Sequence, residues 1–181
     1  AIVTGRLAQQ SQILQNLESL IGAYPGTSTG VIVDSVPGIT YALETQDRSF
    51  FPSARSVGGS TLIHEYVHQW YGNSVGPTTW TDIWIAEGMA TYLPAYYGSA
   101  EGFGTGDSAE SIFYDEWDSA PADDEVWATA PGAQTDPGLL YDFQTYTRGA
   151  QFWTALRIAI GDDAFFAFLE EWPTRHEGGI V

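Results

Sequence analysis

The sequence contains no cysteine, no lysine and no long uninterrupted apolar run. Without cysteine, no disulfide can stabilise the fold and no thiolate can bind a metal, so any metal must be held by histidine or carboxylate. The lack of a run of about eighteen apolar residues argues against a transmembrane helix. The opening residues, AIVTGRLAQQSQ, also lack the basic and apolar regions of a signal peptide. Location is left open, with a secreted or cell-surface bacterial protein as our expectation.

Basic residues are scarce as well. Six arginines stand against 23 acidic residues, which gives a formal net charge of −17. A surface of this sign repels nucleic acid and anionic membranes, and both are disfavoured as partners. Many of the acids lie in a Gly-, Pro- and Ala-rich segment, residues 102–138. We interpret this segment as a solvated surface loop, with steering of cationic peptide N-termini or calcium binding as the alternatives.

What is present is typical of one folded domain of 181 residues, with 44% hydrophobic residues and seven tryptophans. Apolar periodicity predicts a helix from Arg6 to Ile21 that ends at Gly22. Three short segments follow, TGVIVDS, TYALET and RSFFP, and each is bounded by Pro, Gly or Ser. Their β-branched and aromatic residues predict strands of a small sheet.

Only helices are predicted in the rest of the chain. They begin at Ser60, near Trp84 and at AESIFYDEWDS, and two more meet at Gly161-Asp162; the first of them is expected to stop at Gly72-Asn73. This order predicts an α+β fold with a small mixed sheet lobe, about residues 1–75, followed by an all-helical lobe, about residues 76–181.

Two of the three histidines lie in the segment LIHEYVHQWYGN, four residues apart. Residues at this spacing project from the same face of a helix, so His64 and His68 can direct ring nitrogens at one point. Glu65 lies beside that point. The pattern His-Glu-x-x-His on a helix is typical of a zinc site in which the glutamate acts as general base. The alternative is a helix that carries two incidental histidines.

Catalytic zinc needs a third protein ligand and a water. His176 is the remaining histidine, but the segment TRHEGGIV looks frayed and exposed. Glu87 is the better candidate, because a lone acid within WIAEGMATYL is costly to bury unless it is paired or bound to metal. The alternative for Glu87 is a solvent-facing position on its helix.

The motif HEYVHQWYGN, with eighteen residues between His68 and the acid in WTDIWIAEGMATYL, resembles the aminopeptidase-N-type gluzincin metallopeptidases. The resemblance implies one catalytic zinc ion held by His64, His68 and Glu87, with Glu65 as general base. It also implies a thermolysin-like zincin catalytic domain over residues 1–181. Members of that family have further domains on both sides, so the chain is expected to be a piece of a larger protein.

The same resemblance assigns two further residues. The segment TYTRGAQFWTALRIAIGDD is similar to the family segment that carries a catalytic tyrosine, which falls on Tyr146, with Tyr141 as the nearest rival. Tyr41–Thr45 is similar to a family strand that reads Gly-Ala-Met-Glu-Asn, whose glutamate binds the free amine of the substrate. Glu44 matches that glutamate, although Tyr41, Leu43 and Thr45 replace the Gly, Met and Asn.

The implied function is a zinc aminopeptidase, which removes the N-terminal residue from peptides by attack of a zinc-bound water. Its partners are peptides with a free N-terminus. Two alternatives remain: a zinc endopeptidase of the same fold, and a folded zinc-binding domain that is inactive without its neighbouring domains.

Overall fold

The secondary structure is mostly helical, with two very small parallel sheets. A computed structural model describes residues 2–101 and 108–180. The predicted acidic segment therefore lies partly outside the described residues, at 102–107. The helices are α1 (Ile2–Leu7), α2 (Gln10–Ile21), α3 (Gly59–Val67), α4 (Ile83–Glu101), α5 (Ala109–Asp118), α6 (Gly149–Ile160) and α7 (Asp162–Arg175), and the strands are β1 (Val31–Val33), β2 (Ser49–Phe51), β3 (Val75–Gly76) and β4 (Gly179–Ile180).

The predicted first helix is two helices. The chain turns at residues 8–9, which separates α1 from α2, and the prediction of one helix from Arg6 was wrong there. No residue of α1 is buried, whereas α2 buries Ile13, Leu17 and Ile21. Packing against the core therefore stabilises α2 but not α1, and among the residues that the structure describes nothing keeps the two segments in one continuous helix. The predicted end at Gly22 is confirmed, with a φ of 87° that favours glycine.

Two of the three predicted strands form, and they pair in parallel, with Val31 opposite Ser49. The segment TYALET, predicted as a strand, forms only one antiparallel bridge, between Leu43 and Phe50. Leu43 and Phe50 exchange both backbone hydrogen bonds, at 2.9 and 2.8 Å. The chain turns directly after the bridge, with a positive φ of 63° at Asp47, so the ladder cannot extend toward the turn. On the other side the next hydrogen-bonding partner is Pro52, which has no N–H to donate.

The second half of the chain is not purely helical, which corrects a further prediction. Near its C-terminal end, β4 pairs in parallel with β3, and the Gly178 N–H donates to the carbonyl of Ser74 at 2.8 Å. Each of these strands is only two residues long, too short to show the alternation of apolar and polar residues from which a strand is predicted. Their pairing attaches the end of α7 to the segment that follows α3.

The core lies between α2, α3, α4, α6 and α7. Helix α6 contributes Ala150 and Trp153 to it, and the other four helices and the turn after α3 contribute large, fully buried side chains: Leu17, Ile21, Tyr66, Trp70, Met89, Tyr92, Leu93 and Phe165. The indole N–H of Trp70 donates to the carbonyls of Gly22 and Ala23, at 3.0 and 2.9 Å, which caps the end of α2. The predicted helix at AESIFYDEWDS is confirmed as α5, capped by Ser108.

Helices α4 and α6 approach each other closely at a pair of glycines. A Cβ on Gly88 would lie 2.6 Å from the carbonyl carbon of Gly149, and one on Gly149 would lie 2.9 Å from the Cα of Gly88. Real Cβ atoms do not approach backbone this closely, so both positions require glycine. The contact places Glu87, which precedes Gly88, near the N-terminal end of α6.

Arg157 of α6 joins three other helices. Its guanidinium hydrogen bonds to Glu110 of α5 and to Asp162 of α7 at 2.9 Å, and it stacks over the ring of Tyr96 in α4 at 4.8 Å.

In the described part of the chain, no helix combines the length and the mean hydropathy that crossing a bilayer requires.

Candidate metal centre and active site

Helix α3 and the turn after it place the two motif histidines on one face. The helix ends at Val67, five residues before the predicted stop at Gly72, because the chain tightens into i to i+3 hydrogen bonds from Gln69 and Trp70. The backbone N–H of His68 still donates to the carbonyl of His64 at 3.3 Å. The last helical hydrogen bond therefore preserves the spacing that the motif needs.

Three candidate ligand atoms converge at this face. His68 Nε2 lies 3.1 Å from His64 Nε2, and Glu87 Oε2 lies 3.2 Å from each ring nitrogen. Tetrahedral zinc bound at about 2.0–2.1 Å keeps its ligand atoms about 3.3–3.4 Å apart, which matches this triangle. Two imidazoles and a carboxylate are also a usual donor set for catalytic zinc. The side chains therefore fit the ion that the sequence predicts.

The ring of His68 is oriented by its other nitrogen. Nδ1 lies 2.9 Å from the carbonyl oxygen of Tyr71. Because a carbonyl can only accept, Nδ1 carries the proton and Nε2 is the atom available to a metal. The contact depends on Gly72, whose φ is 130° and where a Cβ would lie 3.2 Å from His68 Nδ1.

Burial and charge act against each other on the ligand side chains. Burial raises the pKa of Glu87, but hydrogen bonds from His64 and His68 outweigh it and lower the value to about 2. Burial lowers the pKa of His68, but its bond to Glu87 outweighs that effect and raises the value to about 9. Glu87 and His68 therefore favour opposite charges in contact, and a cation bound at this point would displace the proton of the imidazolium.

Glu65 lies beside the triangle and is 4% exposed. Its Oε2 is buried and has no hydrogen-bond partner among the residues that the structure describes. Burial is the main cause that raises the pKa of Glu65, to about 8. The positive charge of His68 lowers it, and the negative charges of Glu44 and Glu87 raise it further. A buried carboxylate oxygen without a protein partner is available to a water or a substrate group.

An open cleft of about 340 Å³ lies above this face. Its lining includes His64, Glu65 and Tyr146, together with Tyr41, Ala42, Ser60, Thr61, Ala90, Thr91 and Pro94. A cavity of about 400 Å³ lies between α5 and α6, but it is lined mainly by aromatic and aliphatic groups. Its one charged side chain, Arg148, already donates to the carbonyls of Trp127 and Thr129. Groups able to perform acid–base chemistry therefore gather at the smaller cleft.

Tyr146 lies in a π-helical turn, Gln144–Arg148, directly before α6. Such turns are rare and frequently occur at functional sites. Its ring centroid is 6.3 Å from that of His64. Burial and the charge of Glu87 raise the pKa of Tyr146, which keeps its hydroxyl protonated. Tyr141 is close, with ring centroids 6.5 Å apart, but it is 54% exposed and does not line the cleft.

Glu44 lies directly after the Leu43 bridge and is partly buried. Its backbone carbonyl accepts a hydrogen bond from Asn73 Nδ2 at 2.6 Å. Its negative charge raises the pKa of Glu65 and of Tyr146, so Glu44 acts electrostatically on two groups that line the cleft.

His176, the weaker ligand candidate, does not join the two motif histidines, and its ring packs on Trp172 with the centroids 4.8 Å apart. Within residues 2–101 and 108–180, His64, His68 and Glu87 are the group positioned to hold a metal.

Sequence reasoning missed the residues that hold the turn around Tyr146. Arg148 donates to the Thr129 carbonyl at 2.6 Å and to Gln144 Oε1 at 2.8 Å, and it stacks over Trp127 at 5.4 Å. Thr145 Oγ1 donates to the carbonyl of Leu140. Arg148 had one usable signal, since it is the only arginine between residues 56 and 156.

Comparison with known proteins agrees with this geometry. Aminopeptidase N of Streptomyces lividans is 28% identical over 133 residues, covering 70% of this chain and 16% of that protein. A probable aminopeptidase 1 of Sulfurisphaera tokodaii is 30% identical over 125 residues, covering 66% and 16%. The chain thus spans about a sixth of the length of these relatives.

A crystal structure of an M1 zinc metallopeptidase from Deinococcus radiodurans superposes with a TM-score of 0.80 at 29% identity, covering 96% of this chain and 37% of that one. Native leukotriene A4 hydrolase from Saccharomyces cerevisiae shares the fold, with a TM-score of 0.75 at 20% identity. The Peptidase family M1 domain matches residues 43–181, a range that contains every candidate site residue. The chain therefore belongs to peptidase family M1.

Proposed function

We propose that the chain is the catalytic unit of a zinc aminopeptidase, with His64, His68 and Glu87 as zinc ligands. The observation that carries the proposal is the triangle of ligand atoms, 3.1–3.2 Å on a side, beside a buried Glu65 oxygen without a protein partner. The curated relatives are aminopeptidases, which supports the same class of reaction. The thermolysin-like arrangement of a sheet lobe and a helical lobe, divided near residue 75, belongs to this proposal.

Zinc held by these side chains supplies a Lewis acid that polarises a carbonyl and acidifies water. Glu65 then has the position of a general base: it accepts a proton from the attacking water and delivers it to the nitrogen of the leaving amine. The Tyr146 hydroxyl, kept protonated, donates a hydrogen bond to the substrate oxygen as negative charge grows there. Attack of the water oxygen on the carbonyl carbon forms the new C–O bond, and the C–N bond then breaks as the amine leaves with the proton that Glu65 delivers. When the bond cut is the first peptide bond, the products are one amino acid and a shortened peptide.

Glu44 determines which bond is cut. A carboxylate whose charge acts on Glu65 and Tyr146 can bind the ammonium group of a peptide N-terminus through a charge-assisted hydrogen bond, about twice as strong as a neutral one. An N-acetylated peptide offers no such charge and loses on the order of 1.5–3 kcal/mol, or roughly 10- to 150-fold. We therefore propose peptides with a free N-terminus as substrates. A mutant of the M1 zinc metallopeptidase from Deinococcus radiodurans has been crystallised with a Tyr-Ser-Ala peptide as its substrate, which supports peptides as the substrate class.

The test uses a matched pair of fluorogenic peptides, free and N-acetylated, together with zinc analysis. The wild-type protein should hold one zinc ion and prefer the free peptide by the factor given above. Glu65→Gln should keep the zinc and lose turnover, Glu44→Ala should keep the zinc and lose the preference, and His64→Ala should lose the metal. Glu171→Gln, a change of an exposed acid on α7, is the control and should behave as wild type.

Two results would redirect the proposal. Equal rates on the two peptides would indicate an endopeptidase with the same metal chemistry. Zinc binding without turnover in wild type would indicate a domain that needs further domains. The relatives and the superposed structures are much longer than this chain, which supports the proposal that such domains flank it in a larger protein.

A further inference from the structure

Two polar side chains beyond the candidate zinc ligands reach across to the segment that carries Glu44. Gln69, which is 4% exposed, accepts a hydrogen bond from the backbone N–H of Asp47 at 3.0 Å. Asn73 Nδ2 donates to the backbone carbonyl of Glu44 at 2.6 Å. Gln69 and Asn73 are four residues apart on the turn after α3, and they bind opposite ends of the turn at residues 44–47.

The turn that they hold is short and internally bonded. Arg48 N–H donates to the carbonyl of Thr45 at 3.3 Å, Thr45 Oγ1 donates back to the Arg48 carbonyl, and the bridge between Leu43 and Phe50 closes its base. Asp47 adopts a left-handed conformation within it. In the described part of the chain, no hydrogen bond holds the Glu44 carboxylate itself, so its position depends on its backbone.

The other side of these contacts is fixed to the candidate metal ligands. Asn73 N–H donates to the carbonyl of His68 at 2.9 Å, and Ser74 N–H donates to the carbonyl of Gln69 at 3.1 Å. Gln69 Nε2 also lies 3.4 Å from the carbonyl of Glu65. The amide groups of Gln69 and Asn73 are therefore set in the same rigid turn as His68.

We infer that Gln69 and Asn73 are positioning residues that set selectivity for a free peptide N-terminus, by fixing the distance between Glu44 and the metal ligands. The inference rests on the proposed function. A shift of the Glu44 carbonyl moves its Cα and its carboxylate together, and a displacement of about 1 Å at a reacting site can change a rate by about 100-fold. Neither contact involves a side chain of His64, His68 or Glu87, so the rate on an acetylated peptide, which has no ammonium group for Glu44 to bind, should not change.

The experiment measures kcat/KM for the free and acetylated peptides with zinc-loaded protein. Asn73→Leu removes the donor at nearly constant volume, and the ratio of the two values should fall by about 10-fold or more, while zinc content and the acetylated rate stay within about 3-fold of wild type. Asn16→Leu makes the same change at the other asparagine of the sequence, on α2, and should keep the wild-type ratio. Gln69→Met, as a second variant, should lower the ratio in the same direction, which keeps the test open if Asn73→Leu does not fold.

The outcomes separate this inference from the proposed function. If wild type shows no preference for the free peptide, the assignment of Glu44 fails. If wild type is selective and Glu44→Ala is not, but both positioning variants keep full selectivity, the inference is overturned and the function stands. A parallel fall on both peptides would show a purely structural role and would also overturn it. The double variant Glu44→Ala/Asn73→Leu should be no less selective than Glu44→Ala alone.

Discussion

Replacing Gly88 by alanine tests whether the contact between α4 and α6 holds the site together. The new Cβ would meet three backbone atoms of Gly149, the carbonyl carbon at 2.6 Å, the Cα at 2.7 Å and the oxygen at 3.0 Å. Carbon atoms in ordinary contact lie about 3.5–4.0 Å apart. None of the three atoms belongs to a flexible side chain. Helices α4 and α6 must therefore move apart by about 1 Å. That movement would carry Glu87 away from the turn that bears Tyr146.

The cost follows from this overpacking. Inserting a methyl group into a packed contact typically destabilises by about 1–3 kcal/mol. In a chain of this size, each kcal/mol lowers Tm by about 2–4 °C. Gly88→Ala should therefore lower Tm by roughly 2–12 °C, and a displacement of about 1 Å between Glu87 and Tyr146 should lower kcat by up to about 100-fold. Calorimetry and steady-state kinetics measure the two effects.

Gly5→Ala is the matched control, because Gly5 is exposed on α1 and a Cβ there meets nothing within 4 Å. Alanine is a better helix former than glycine, so this variant should keep the wild-type Tm or raise it slightly. If Gly88→Ala were as stable and as active as Gly5→Ala, the close contact would not constrain the site and the reasoning would be wrong.

Three further predictions concern other parts of the structure. Tyr146→Phe should keep its zinc and lower kcat by about 100-fold or more, the usual loss of one oxyanion donor, whereas Tyr141→Phe should change it far less; similar losses for both would refute the assignment. Arg157→Met should lower the free energy of unfolding more than Arg175→Met does, because the Arg157 side chain is only 13% exposed and binds Glu110 and Asp162 on two other helices. Arg175→Met, which breaks an exposed pair, should change it by less than about 1 kcal/mol, and equal effects would contradict the difference in burial. Zinc added to chelated protein at about 100 times its Kd should raise the free energy of unfolding by about 2.7 kcal/mol, and an unchanged Tm would count against binding to the folded state.

The candidate metal centre could be predicted because its signals are local. His64 and His68 are one helical turn apart, and that spacing survived although the helix ends at Val67. Glu87 could be predicted from its apolar surroundings, since a buried acid needs a partner, and the structure buries it to 3% exposure beside the two histidines. Each inference needed only the residues within a few positions of the side chain concerned.

The remaining parts of the site depend on contacts with no local period. Ten tyrosines compete in the sequence, and nothing in the spacing distinguishes Tyr146, because its position depends on a π-helical turn and on the packing of α6. The strand predicted at TYALET forms a single bridge, and the backbone conformation at Asp47 ends the pairing on the side of the turn. The pattern of apolar and polar side chains does not show where the backbone adopts such a conformation.

Three of the contacts that bring the site together involve backbone atoms. Gly88 packs against the main chain of Gly149, Asn73 binds the carbonyl of Glu44, and the carbonyl of Tyr71 orients His68. Every amino acid carries the same carbonyl group, so these acceptors leave no trace in composition, and only the donor or the missing side chain is visible. A search of sequences for this site should therefore weight the glycines and amides beside a catalytic motif as heavily as its acids and histidines, because they decide whether the distances between those acids and histidines are kept.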